Sequence, residues 1–89
     1  MKQARITGRF DRDYRQSVKR GKKIEKLDDV MMLLINEEPL PPKLKDHALS
    51  GTMSGYRDCH IESDWILIYR VDDDAIVFER TGTHSDIFK

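Results

Sequence analysis

A single cysteine, Cys59, sits among 89 residues, so no disulfide can form within the chain and a reducing, cytoplasmic setting is expected. The three prolines fall together at Pro39, Pro41 and Pro42, where they end a helix and hold one extended connector. No apolar run is long enough to cross a bilayer, and the first residues alternate charge with single apolar positions, so neither a membrane span nor a signal peptide is expected. A phosphate-cradling glycine loop, an internal repeat and a low-complexity tract are all missing. Net charge is missing too, because 16 Lys or Arg offset 16 Asp or Glu.

What is present is unevenly distributed. Residues 1–26 hold ten Lys or Arg against three Asp or Glu, whereas residues 27–89 hold six against thirteen. A chain this bipolar can offer a basic face to phosphate while another face stays acidic; the plainer alternative is that the cations merely solvate two helices. Hydrophobic residues at 38% and charged ones at 36% are too apolar and too patterned for a disordered chain. The length suits one domain, residues 1–89, which buries about two-thirds or less of its unfolded surface.

Periodicity divides the chain. The alternation in residues 1–6 suits an edge strand. Phe10, Tyr14 and Val18 recur every fourth position, predicting a helix over residues 9–20 with Gly21 as its stop. Ile24, Leu27, Met31 and Leu34, widened by Val30 and Ile35, predict a second helix over 22–36, with Met31 and Met32 as adaptable core filler. Gly51 and Gly55 mark turns in the loop carrying Asp46 and His47, and Leu49 is placed at a short strand start. Runs 56–61, 65–71 and 75–81 read as strands, with the middle one covered on both faces. Breaks of three residues between them permit only antiparallel neighbours, so the expected fold is α+β, two helices on an antiparallel sheet of about four strands.

The chemistry-bearing residues cluster in the second half. All three histidines, His47, His60 and His84, lie there, and histidine can both give and take a proton near neutral pH. Arg80 shares strand parity with Ile76 and Phe78, so its guanidinium would project from a partly covered face, toward phosphate or into a salt bridge with Asp58, Glu62 or Asp64. Trp65 and Phe88 could stack on splayed nucleobases, although Trp65 also suits a core. Their company with Asp64 suits the binding and cutting of a phosphodiester. A metal is not expected, because the His, Cys and Asp spacings match no zinc pattern and Cys59 and His60 would point to opposite faces of a strand. No cofactor is expected.

Taken together, the runs KDHALSG, GYRDCHI, SDWILIYRV and FERTGTHSDIF, with the two helices and LINEEPLPP, resemble the YafQ-type branch of the RelE/ParE toxin superfamily. The resemblance implies a microbial-ribonuclease-like α+β fold and a metal-independent endoribonuclease that enters the 70S ribosome and cuts mRNA at the A-site codon. It implies His47, His60, Asp64, Arg80 and His84 as catalytic residues and Trp65 and Phe88 as base-positioning ones. Proton transfer would fall to the histidines, with Asp64 orienting or activating one and Arg80 facing phosphate oxygens. On the same basis Arg9, Arg12, Arg15, Lys19, Arg20, Lys22 and Lys23 would contact ribosomal RNA. The implied partner is a DinJ-like antitoxin of ribbon-helix-helix type, through which alone the complex would touch DNA. Two rivals stand beside this expectation: a non-catalytic ParE-like toxin that blocks a protein such as gyrase, and an RNA-binding module without cleavage.

Overall fold

A computed structural model describes residues 1–88; Lys89, the last residue of the expected domain, lies outside them. The chain runs through β1 (Gln3–Ile6), α1 (Gly8–Lys19), α2 (Ile24–Ile35), a 3-10 turn (Pro42–Leu44), β2 (His47–Ala48), a second 3-10 turn (Gly51–Met53), β3 (Arg57–Glu62), β4 (Trp65–Val71), β5 (Ala75–Gly82) and the one-turn α3 (His84–Ile87). The strands form one sheet in the order β1-β5-β4-β3-β2. The α+β expectation holds, with two adjustments. A fifth strand, β2, has only two residues, too few to show alternation, and it places His47 opposite Asp58 on β3 rather than in a loop. The other adjustment is that β1 joins β5 in parallel while every other pair is antiparallel. Strands that far apart in sequence need no tight turn between them, so loop length left their direction open.

Thr7 starts α1 and ties it to the sheet. Its hydroxyl oxygen accepts from the Phe10 N–H at 3.0 Å, and the hydroxyl donates to the Glu79 carbonyl at 2.9 Å. Gly21, at φ 77°, ends the helix with two bonds, its own N–H to the Val18 carbonyl and that of Lys22 to the Ser17 carbonyl. That pairing is the Schellman termination, and the left-handed backbone it requires favours glycine. The buried side of α1 is Phe10 and Ser17, with Tyr14 half-buried, whereas Val18 is 51% exposed. A step of seven from Phe10 stays on one helix face, while a step of eight drifts off it, so Ser17 replaces the expected Val18. Its hydroxyl is satisfied by the Asp13 carbonyl at 3.0 Å. On α2, Leu27 and Val30 are buried and Met31 packs beside them, but Met32 is exposed and is not core filler.

Alternation sorts the sheet into two faces. Cys59 and Ile61 of β3, Trp65, Leu67 and Tyr69 of β4, and Ile76 and Phe78 of β5 meet Phe10, Leu27 and Val30 in the core under the helices. Each large apolar side chain fully buried there contributes roughly 1.5–3 kcal/mol. Ile66, Ile68 and Val77 occupy the alternate positions and are also buried, as a central strand covered on both sides requires. One irregularity matters for the site. Tyr69 pairs with Phe78 and Ile68 with Arg80, so Glu79 is an extra residue in β5. The bulge takes Arg80 out of the parity of Ile76 and Phe78 and puts Thr81 opposite Leu67 instead. Among the described residues no helix is long and apolar enough to cross a membrane.

Candidate active site

The turn between β3 and β4 presents Asp64, and the first residue of α3 presents His84. His84 Nδ1 lies 2.7 Å from Asp64 Oδ1, and the His84 backbone N–H donates to the same oxygen at 2.9 Å. These bonds, the backbone one foremost, hold the Asp64 carboxyl below its usual range. With Nδ1–H given to the carboxylate, the lone pair of this half-exposed imidazole is at Nε2. The His60 ring lies 5.5 Å from that of His84, centre to centre, and the Phe88 ring lies 6.4 Å from His84. Phe88 is 42% exposed and leaves a face for a base to stack on. Four of the expected residues, His60, Asp64, His84 and Phe88, therefore converge.

The α3 turn is locked from below. Thr83 caps it, accepting from the Asp86 N–H, while the Asp86 carboxylate accepts from the Thr83 N–H and from Arg20 Nη1 at 2.7 Å. Arg20 foremost, then the Thr83 N–H, holds the Asp86 carboxyl far below the usual carboxylate range. A Cβ on Gly82, whose φ is 155°, would come within 2.8 Å of Asp86 Oδ2, so glycine lets the carboxylate close over the turn. The guanidinium of Arg20, a residue expected on the ribosome, clamps the turn that carries His84.

His47 approaches the same face of the sheet, because it pairs with Asp58 and Asp58 lies two residues from His60 on β3. Its Nδ1 is 2.8 Å from the Lys45 carbonyl and 3.2 Å from Asp58 Oδ1. The carbonyl takes the N–H, so the contact with Asp58 is not a hydrogen bond. Asp58 is 5% exposed. Among the described residues two buried side-chain polar atoms lack a hydrogen-bond partner, Asp58 Oδ1 and His60 Nδ1. Both belong to this cluster, and buried polar groups without a protein partner are uncommon. Sequence reasoning noticed Asp58 only as a salt-bridge partner for Arg80; its shared parity with His60 was the available signal. Asp46, in turn, fixes the approach to His47, accepting from the buried Tyr69 hydroxyl at 2.5 Å and from Arg57 Nη2 at 3.1 Å.

Two expectations are revised. Arg80 pairs with Asp13 of α1, Nε to Oδ2 at 2.7 Å and Nη2 to Oδ1 at 3.3 Å, and not with Asp58, Glu62 or Asp64. Asp13 also accepts from the Thr81 N–H at 3.2 Å, which fixes the bulged strand and the guanidinium together. Arg80 then lines a groove with Arg9 and Arg12 beside Asp86 and Ile87 of the His84 turn. Trp65 is not available for stacking, because it is 1% exposed and donates Nε1–H to Thr81 Oγ1 at 3.0 Å. What approaches its ring is the Lys22 ammonium, 5.7 Å from the ring centre and 3.9 Å from Glu62. Of the remaining basic residues, Arg15 pairs with Asp11 along α1, and Lys19 and Lys23 are exposed. Burial pushes the Cys59 thiol up to about 12, so it is no nucleophile.

A small α+β protein with a histidine–aspartate cluster exposed on its sheet, flanked by arginines, is the class that these features define. The family model described as "Bacterial toxin of type II toxin-antitoxin system, YafQ" matches residues 2–89, and the chain belongs to that family. It is 49% identical over 83 residues to the mRNA interferase toxin YafQ of Escherichia coli (strain K12), spanning 92% of this chain and 90% of the relative. The crystal structure of YafQ from E. coli strain BL21(DE3) superposes with a TM-score of 0.95 at 44% identity over the whole of both chains. In the crystal structure of the E. coli DinJ–YafQ complex, a similar chain superposes with a TM-score of 0.93 at 46% identity, again over the whole of both.

Proposed function

We propose that this chain is the toxin of a type II toxin–antitoxin pair and acts as a ribosome-dependent endoribonuclease that cuts mRNA at the A-site codon. The observation that carries the reading is the His84–Asp64 pair, whose 2.7 Å contact leaves Nε2 as the lone-pair nitrogen of a ring centred 5.5 Å from that of His60. RNA holds its own nucleophile. One histidine takes the 2′-OH proton as that oxygen attacks phosphorus, and another protonates the departing 5′-oxygen, leaving a 2′,3′-cyclic phosphate and a 5′-hydroxyl. Each such proton transfer is worth roughly 10²- to 10⁴-fold. His84, oriented by Asp64, and His60 supply this pair, with His47 beside Asp58 on the same face. Arg80, held by Asp13, offers its remaining N–H groups to phosphate oxygens, and Phe88 stacks on a base.

The name mRNA interferase in the E. coli relative and the complex of its counterpart with DinJ support the same reading. A DinJ-like antitoxin would hold this toxin inactive in the cytoplasm and provide any contact with DNA. On the ribosome, Arg9, Arg12, Arg15, Lys19, Arg20, Lys22 and Lys23 would meet ribosomal RNA. Primer extension on mRNA from cells briefly expressing the protein tests the whole. Discrete in-frame cuts that vanish in the His84→Gln variant are expected; intact mRNA accompanied by broken DNA would instead indicate a gyrase-directed toxin.

A further inference from the structure

A second groove, of about 480 Å³, opens on the His60 side of the cluster, lined by Lys26, Lys43, Leu44, Lys45, His60 and Glu62 among others. Of its lining, the chemistry above uses only His60. Its cations come from two parts of the chain. Lys26 belongs to α2 and pairs with Glu62 at 3.0 Å. Lys43 lies in the 3-10 turn and Lys45 directly follows it, in the otherwise acidic remainder of the sequence, and among the described residues neither has a carboxylate partner within salt-bridge distance.

The backbone that carries those two lysines is restrained. Pro41 and Pro42 restrict the turn, and Leu44, buried between the two lysines, anchors it in the core. Lys45 is held in the left-handed region at φ 52°, its N–H bonded to the Pro42 carbonyl at 3.1 Å. Its own carbonyl accepts from His47 Nδ1 at 2.8 Å. A lysine in that conformation persists only where the surroundings enforce it. One rigid segment therefore sets both the groove's charge and the orientation of a cluster histidine.

We propose that the Lys43–Lys45 groove is a subsite for the sugar–phosphate backbone of RNA, seating the strand beside His60, distinct from the arginine groove under His84. The proposal rests on the ribonuclease reading and names where that enzyme grips its ligand. Two mobile ammonium groups act as point charges on phosphate, so they give affinity and salt dependence without base preference. The phosphates belong either to the mRNA strand or to ribosomal RNA.

Two assays on the full chain test it. The first measures cleavage on ribosomes programmed with mRNA, wild type against the double variant Lys43→Gln/Lys45→Gln, across a range of salt. KM should rise about tenfold with kcat little changed, and the log–log salt slope should fall by roughly 1.4, about 0.7 for each lost contact with a single strand. Lys43→Arg/Lys45→Arg should restore KM, and an unchanged unfolding midpoint shows that the double variant folds. The second assay follows fluorescence anisotropy of a short single-stranded RNA on the His84→Gln chain with and without the two glutamines. A loss of affinity there assigns the groove to the mRNA strand; unchanged affinity with a raised KM on ribosomes assigns it to ribosomal RNA. Unchanged KM, salt slope and anisotropy together overturn the proposal. A wild type that cuts no programmed mRNA defeats the ribonuclease reading instead, and the anisotropy assay still decides the groove.

Discussion

The two faces of β3 are organised for opposite purposes. Toward the helices Cys59 and Ile61 enter a core with Leu27, Trp65 and Phe78, where the one indole N–H has found a hydroxyl. On the other face Asp58 and His60 each keep a buried polar atom without a partner. The first face lowers the energy of the fold; the second holds polar groups that no other part of the described protein satisfies. Stability and reactivity are thus separated by the two-residue period of one strand.

Breaking the reactive side should produce the largest effect. His84→Gln or His60→Ala should lower mRNA cleavage by roughly 10²- to 10⁴-fold in single-turnover assays while the urea midpoint stays near wild type. Asp58→Asn is expected to lower cleavage as well, by about tenfold, with KM preserved, because it removes the charge beside His47 and keeps the shape. The helix side should respond in the reverse manner. Phe78→Ala should cost roughly 3–5 kcal/mol in urea unfolding, since it empties a ring site packed against Phe10.

A smaller effect is expected at the clamp between the two sides. The folded Asp86 carboxyl titrates below its unfolded value of about 3.9, so its contribution is present above that pH and is lost as pH falls through the lower folded value. The pair is partly exposed, so that contribution is at most about 1 kcal/mol. Acid titration of Asp86→Asn should lack this component, and in the wild type the NMR signals of His84 should shift in the same acid range as the α3 turn loosens. Smallest of all, Trp65→Phe should cost about 1 kcal/mol through the lost bond to Thr81, with cleavage unaffected. Impaired cleavage with unaltered stability in that variant would return Trp65 to the site.

Much of the site was legible because it rests on local pattern. Strands 57–62, 65–71 and 75–82 differ from expectation by no more than one residue at each end, and the histidines they carry or adjoin could be placed. The partners of Arg80 and Arg20 were not legible, since Asp13 and Asp86 are 67 and 66 residues away. Nor was the bulge at Glu79, a single-residue slip that no periodicity announces and that redirects Arg80 and Thr81.

By itself the sequence determined the α+β class and the presence of acid–base residue types in the second half of the chain, because composition and periods of two and of three to four residues are properties of neighbours in the chain. Only the tertiary structure decided that Trp65 is core, that Arg20 braces the His84 turn, that Asp58 stands behind His47, and that Lys43 and Lys45 join the cluster. Charge and hydrogen bonding act through space, and folding brings together groups whose separation along the chain carries no signal of their contact.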